Sequence, residues 1–196
     1  MFDVSLSVAE LGASRGGFAL FENVSFHMDA GNALRITGPN GSGKTTLLRC
    51  LAGLIRADHG TVSTLDDGAL HYLGHMNAMR PQFTVAENLL FWAKLDGNSN
   101  ITIAVETLNL ARLIDVPFHV LSSGQKRRVA LARLLLSPRA IWLLDEPTVG
   151  LDLASVSIVE KVLETHLGEG GIVIGATHTP LGKSNWQALE LQPVKL

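Results

Sequence analysis

Three observations predict an α/β fold whose central sheet is mostly parallel and covered on both faces. Strand-like runs fall at 34–37, 141–144 and 172–176, and the last two are apolar along their whole length, as a sheet buried on both sides demands. A glycine-rich segment at 38–45 falls between the first of these strands and an apolar helical run at 45–54. The middle third reads as helices in succession with no clear strand between them. The expectation is one domain of 196 residues: a core of 1–83 and 137–196, with residues 84–136 inserted as a helical subdomain.

The elements follow in order. Phe2, Val4, Leu6 and Val8 alternate with polar residues, and Val24, Phe26 and Met28 repeat the pattern, giving two half-buried N-terminal strands of antiparallel type. Ala30-Gly31-Asn32 is a turn before the strand at 34–37. Thr84 and Glu87 have capping-box spacing and start a helix running to Leu95. Residues 96–100 are a polar break, 101–114 a second helix, and 124–136 a third, stopped by Pro138. A strand at 141–144, a helix at about 153–167 closed by Gly168, and a strand at 172–176 complete the reading.

The bulk numbers exclude several classes. A net charge of −2 and a pI near 6.4 give no electrostatic surplus for nucleic acid or an anionic membrane. Mean hydropathy is +0.25, yet no stretch approaches the ~20 apolar residues of a membrane span. Doubly buried strands account for that apolar share, as does a partner-facing patch. The one cysteine, Cys50, permits no intrachain disulfide, and Met1-Phe2-Asp3 does not open a secretion signal. The chain is expected in the cytoplasm.

The chemistry lies in three motifs. Gly38-Pro39-Asn40-Gly41-Ser42-Gly43-Lys44-Thr45 is a full G-x-x-x-x-G-K-[ST] phosphate loop. Its glycines let the backbone approach a triphosphate, and successive N–H groups and the following helix N-terminus face the phosphates. Lys44 adds a charge at the β- and γ-phosphates, and Thr45 offers a hydroxyl to Mg²⁺. Asp145 and Glu146 end an apolar strand, where open α/β sheets hold ligands. Asp145 is expected to hold Mg²⁺ through water, and Glu146 to act as the general base on the attacking water. The third motif, Leu121-Ser122-Ser123-Gly124-Gln125, opens a helix, so Ser122, Gly124 and nearby N–H groups present donors to an anion. The adjoining Lys126-Arg127-Arg128 reads as a solvated helix face.

Together these motifs resemble the ATPase subunit of the ABC transporter family over nearly the whole chain. The resemblance implies a P-loop NTPase core of RecA-like type, the helical insertion carrying the LSSGQ signature, and ATP with Mg²⁺ as substrate and cofactor. It implies that Thr46 meets the α-phosphate and that His178 contacts the γ-phosphate and orients water. It also implies a head-to-tail homodimer in which Ser122, Gly124, Gln125 and Asp152 reach the partner's nucleotide. Integral membrane permease subunits would be the other partners.

Two positions depart from the family pattern. The aromatic that stacks on adenine aligns with Arg15, whose guanidinium plane can stack, or Phe18 can substitute. The glutamine between the phosphate loop and the signature aligns with His75, a weak metal-side candidate. Residues 72–75, 131–138 with Trp142, and 176–181 narrow the resemblance to the ATPase of the heme exporter in cytochrome c maturation. That implies a peripheral position on the cytoplasmic face of the bacterial inner membrane. Another cargo, or a weakly hydrolysing dimerisation module, remains the alternative. Met76, Met79 and Phe83 beside His75 suit a docking surface for coupling helices, and core packing explains them as well. No long heptad run, second cassette or N-K-x-D base-reading motif supports a DNA-repair, translation or GTPase reading.

Overall fold

The computed structural model describes residues 1–64, 70–178, 181–182, 185–192 and 194. In chain order the elements are β1 (Ser5–Arg15), β2 (Phe18–Asp29), β3 (Ala33–Thr37), α1 (Lys44–Leu51), β4 (His59–Thr64) and β5 (Leu70–Leu73). There follow α2 (Val85–Leu95), α3 (Thr102–Thr107), α4 (Ser123–Ala132), β6 (Ile141–Asp145), α5 (Leu153–Gly168), β7 (Ile172–Ala176) and β8 (Trp186–Glu190). Two sheets form. An antiparallel one has the order β2-β1-β4, and a parallel one the order β5-β6-β7-β3-β8. The expected α/β class, parallel core and N-terminal antiparallel strands are all present.

The parallel sheet is covered on both sides because its strands alternate between two cores. In β6, Trp142 and Leu144 enter one core while Ile141 and Leu143 enter the other. In β7, Val173 faces the first core and Ile172 and Ile174 the second. The first core gathers Leu89 and Ala93 of α2, Val129 of α4, and Val159 and Leu163 of α5. The second gathers Leu6, Phe21 and Met28 of the antiparallel sheet with Leu47 and Leu48 of α1. Every residue of β6 and β7 is buried, which is why these segments read as unbroken apolar runs. Cys50 of α1 is buried in the second core.

Local signals account for most boundaries. The capping box at the start of α2 is present: Glu87 N–H donates to Thr84 Oγ1 (3.1 Å) and Thr84 N–H to Glu87 Oε2 (2.8 Å). The helix expected over 101–114 is broken. α3 stops at Leu108, Asn109 takes a left-handed φ of 52°, and a 3₁₀ turn follows at Ala111–Leu113. Asn109 N–H bonds to Glu106 O (3.1 Å) and Leu110 N–H to Val105 O (2.8 Å), a Schellman closure with asparagine in the position glycine usually fills. The third helix is also shorter than 124–136, since after Ala132 it tightens into a 3₁₀ turn at Arg133–Leu135. The strands β4, β5 and β8 were not foreseen. β4 has one large apolar side chain, Val62, and β5 has four residues, so neither carries a periodic signal.

The buried face of α5 contains a titratable group. His166 stacks on Trp142 with ring centroids 3.8 Å apart and planes 7° from parallel, and its Nε2 lies 3.2 Å from Ala140 O. Burial pushes its pKa down to about 4, and burial lowers His71 in the same sense. The unfolded chain protonates such rings near pH ~6.5. Between these values unfolding takes up protons, so stability is full above pH ~6.5 and falls as pH drops toward 4. Unfolding midpoints recorded from pH 7.5 to 4.5 should fall accordingly, and His166→Gln should flatten the slope. An unchanged slope in that variant would remove His166 as the cause.

Candidate active site

Parallel pairing sets the site by bringing strand ends to one level. Ala176 of β7 pairs with Ile36 of β3 on one side and with Asp145 of β6 on the other. The loop after β3, the acid pair at the end of β6 and His178 after β7 therefore leave the sheet along one edge.

Within the loop, Gly38 has a φ of 136°, and a Cβ there would lie 2.3 Å from Leu191 O, so the backbone can pass only without a side chain. Gly43 caps α1 with a φ of 92° against Phe21 of β2. Pro39, Asn40 and Gly41 are exposed at the loop's crest, and Ser42 is buried beneath it. Lys44 Nζ donates to Gly38 O (2.8 Å) and Pro39 O (3.0 Å), which arches the ammonium back over the loop. Thr46 lies in the first turn of α1.

Thr45 Oγ1 donates to Asp145 Oδ2 at 2.8 Å, joining the phosphate loop to β6. These two hard oxygen donors fit Mg²⁺, which completes its shell with water and phosphate oxygens rather than with an all-protein cage. Glu146, one residue on, has a left-handed φ of 47° and donates its N–H to Ala176 O (2.9 Å). A non-glycine residue held there stores about 1–3 kcal/mol of strain and turns its carboxylate out of the strand line. His178 Nε2 lies 3.4 Å from Glu146 Oε1, so two residues remote in sequence meet at the acid corner. The glutamate side chain is 26% exposed and the histidine 68%. Thr179 and Pro180, part of the stretch at 176–181, lie outside the described residues.

One basic residue is not where the sequence reading put it. Arg127, expected on a solvated face with its neighbours, is 5% exposed. Its Nε donates to Pro147 O (3.1 Å), Nη1 to Gly74 O (2.8 Å) and Asn77 Oδ1 (3.5 Å), and Nη2 to Asp145 O (2.6 Å) and Glu146 O (2.9 Å). A guanidinium has five N–H donors, and five acceptors surround this one. Burial draws its pKa below the usual arginine range, and the Asp145 and Glu146 charges oppose that shift. Helical periodicity places 127 on one face with buried Ala130 and Leu131, a signal outweighed by the run of three cations.

The signature segment forms a second concavity. Ser122 caps α4 with a full box: Gln125 N–H donates to Ser122 Oγ (3.3 Å) and Ser122 N–H to Gln125 Oε1 (2.9 Å). The Gln125 carbonyl oxygen thus shapes the helix end. Ser122, Gly124, Gln125, Arg128, Gly150 and Asp152 line a hollow of about 270 Å³. Asp152 caps α5 by accepting from Ser155 N–H (2.7 Å), and that hydrogen bonding, then Arg128, lowers its pKa. Of the remaining candidates, Arg15 is exposed at the tip of the β1–β2 hairpin opposite Phe18, which is 59% exposed. His75 is exposed just after β5. Met76 is exposed, whereas Met79 packs against the first core and Phe83 lies under Arg80, 5.1 Å from its ring centroid.

Residues 21–149 match the family model for the ABC transporter. The chain is 48% identical over 190 residues to the cytochrome c biogenesis ATP-binding export protein CcmA of Paracoccus denitrificans (strain Pd 1222), covering 97% of this chain and 90% of that protein. It is 45% identical to the protein of the same name from Rhizobium johnstonii, covering 95% and 94%. Among solved structures, a Pyrococcus furiosus protein assigned as an ABC transporter ATP-binding protein superposes with a TM-score of 0.82 at 28% identity, covering 95% of this chain and 97% of that one.

A Cβ on Gly124 would stand 2.8 Å from Gly150 O, so α4 and the segment before α5 are in contact through bare backbone. Gly124→Ala is expected to cost about 1–3 kcal/mol, the usual scale of overpacking, in chemical unfolding. A variant as stable as the parent would mean that the two segments separate freely.

Proposed function

The chain is a member of the ABC transporter family, an ATPase subunit, and we propose that two copies, working with membrane subunits, sandwich two ATP molecules to drive an export step of cytochrome c biogenesis. One observation carries the two-copy reading. The signature concavity is lined by residues 122–125, 128, 150, 152 and 155 and contains none of the phosphate loop or acid pair. Each site is completed by the facing surface of another copy, head to tail.

In this reading the loop N–H groups at 38–45 and Lys44 hold the β- and γ-phosphates, and Thr46 meets the α-phosphate. Thr45 and Asp145 hold Mg²⁺, which neutralises charge on the phosphate oxygens when bound. Glu146 takes the proton of the attacking water, and His178, against the Glu146 carboxylate, orients that water. Ser122 and Gly124 donate to the partner's γ-phosphate, with Gln125 and Asp152 shaping the contact. Arg15 or Phe18 covers the base, and His75 lies toward the metal side. Residues 84–136 are the lobe that carries the signature.

The membrane partner docks on a groove of about 730 Å³ whose lining includes Leu54, Tyr72, Met76, Trp92 and Leu95. Leu54, Met76 and Leu95 are 62%, 84% and 62% exposed, an apolar surface suited to the short helices of a permease. No helix of the described residues is long and apolar enough to cross a membrane itself. In this reading the chain sits peripherally on the cytoplasmic face and serves a heme-export complex; both the place and the cargo rest on the resemblance at 72–75, 131–138 and 176–181 and on the relatives named as export proteins.

Glu146→Gln should keep ATP affinity, lose ~10²–10⁴ in turnover and accumulate as an ATP-bound dimer in sedimentation. A variant that stays monomeric with saturating Mg·ATP and its membrane subunits would overturn the sandwich. Met76→Asp should release the chain from co-purifying membrane subunits while ATP binding is retained, and unaltered assembly would move the docking surface elsewhere.

A further inference from the structure

We propose that Arg127 is a positioning residue for hydrolysis: from α4 it holds the main chain of the acid corner and ties it to the segment at 74–77. The inference rests on Glu146 as the base and assigns a task to a side chain whose five acceptors are all protein oxygens.

Three consecutive carbonyls, Asp145 O, Glu146 O and Pro147 O, accept from one guanidinium. The residue in the middle is the strained one, with its φ of 47°. A left-handed conformation at a glutamate persists only where its surroundings over-determine it. Here the Glu146 N–H is fixed by Ala176 O on one side and its carbonyl by Arg127 on the other. With both ends of the residue fixed, the direction of its Cα–Cβ bond is fixed too, and that bond sets where the carboxylate that meets His178 starts from.

The remaining arm of the fork reaches Gly74 O and Asn77 Oδ1, on either side of exposed His75 and Met76. Arg127 belongs to the helix that Ser122 caps. Three segments thus share one cation: the signature helix, the acid corner and the loop bordering the apolar groove. A displacement of α4 or of the 74–77 loop changes the bonds that hold Glu146. A lysine has one charged nitrogen and cannot span acceptors on both sides of the fork, so charge alone does not replace this geometry.

The test compares parent, Arg127→Lys and Lys126→Ala in the assembled ATPase complex. Lys126, on the same helix, donates to His119 O and serves as the control. With folding checked by circular dichroism and melting, Arg127→Lys should lower kcat by ~10–100-fold, the scale of a misplaced catalytic group, while KM for ATP shifts less than about threefold. Lys126→Ala should stay within about twofold of the parent. A folded Arg127→Lys with parental kcat, or one whose KM rises in step with the fall in kcat, overturns the proposal. Should the lysine variant not fold, the guanidinium N–H signals of Arg127 in the Glu146→Gln chain decide. Slow hydrogen exchange that changes when Mg·ATP is added supports the coupling, and signals indifferent to nucleotide overturn it. An inactive parent would instead count against the ATPase reading itself.

Discussion

Everything at the proposed nucleotide edge depends on the rung in which Ala176 is paired in register between Ile36 and Asp145. Strands β3, β7 and β6 are far apart in the chain, and parallel pairing alone makes them end together. A slip of one residue in a parallel register would turn alternate side chains to the wrong core. Trp142 and Leu144 would then exchange places with Ile141 and Leu143, so the packing of both cores guards the alignment of Thr45 with Asp145. The hydrophobic term is thus what holds the polar geometry proposed for catalysis.

That edge is supported from below by two kinds of contact. Bare backbone does the work where segments must nearly touch, as at Gly38 beneath Leu191 O and Gly124 beside Gly150 O. A multidentate cation does it where several carbonyls converge with no strand to pair them, as around Arg127. The two solutions differ in tolerance. Any side chain fills the first gap, whereas the second needs one particular shape.

Much of this was legible in the sequence because the signals are local. The phosphate loop, the acid pair, the capping box at Thr84 and the doubly buried strands each follow from a few adjacent residues. A role for His178 could be named from resemblance, but its meeting with Glu146 depends on β7 lying beside β6. What the residues did not disclose is set at longer range. β4 is a strand because β1 needs a second partner, not because its own side chains alternate. Arg127 is buried because five acceptors from two distant segments converge on it, and a run of three cations hides that. The break at Asn109 was readable, since asparagine is a frequent substitute for glycine at a left-handed helix end.

Cys50, the chain's one cysteine, sits in the second core on the helix that the phosphate loop opens. Burial, and then the charge of Asp58, raises its pKa, so the sulfur stays protonated and shielded while α1 is seated. Alkylating reagents therefore meet a silent sulfhydryl in the native chain and a reactive one when that helix lifts away. The fold carries a single-site gauge of how often the helix after the phosphate loop opens, readable without any added label.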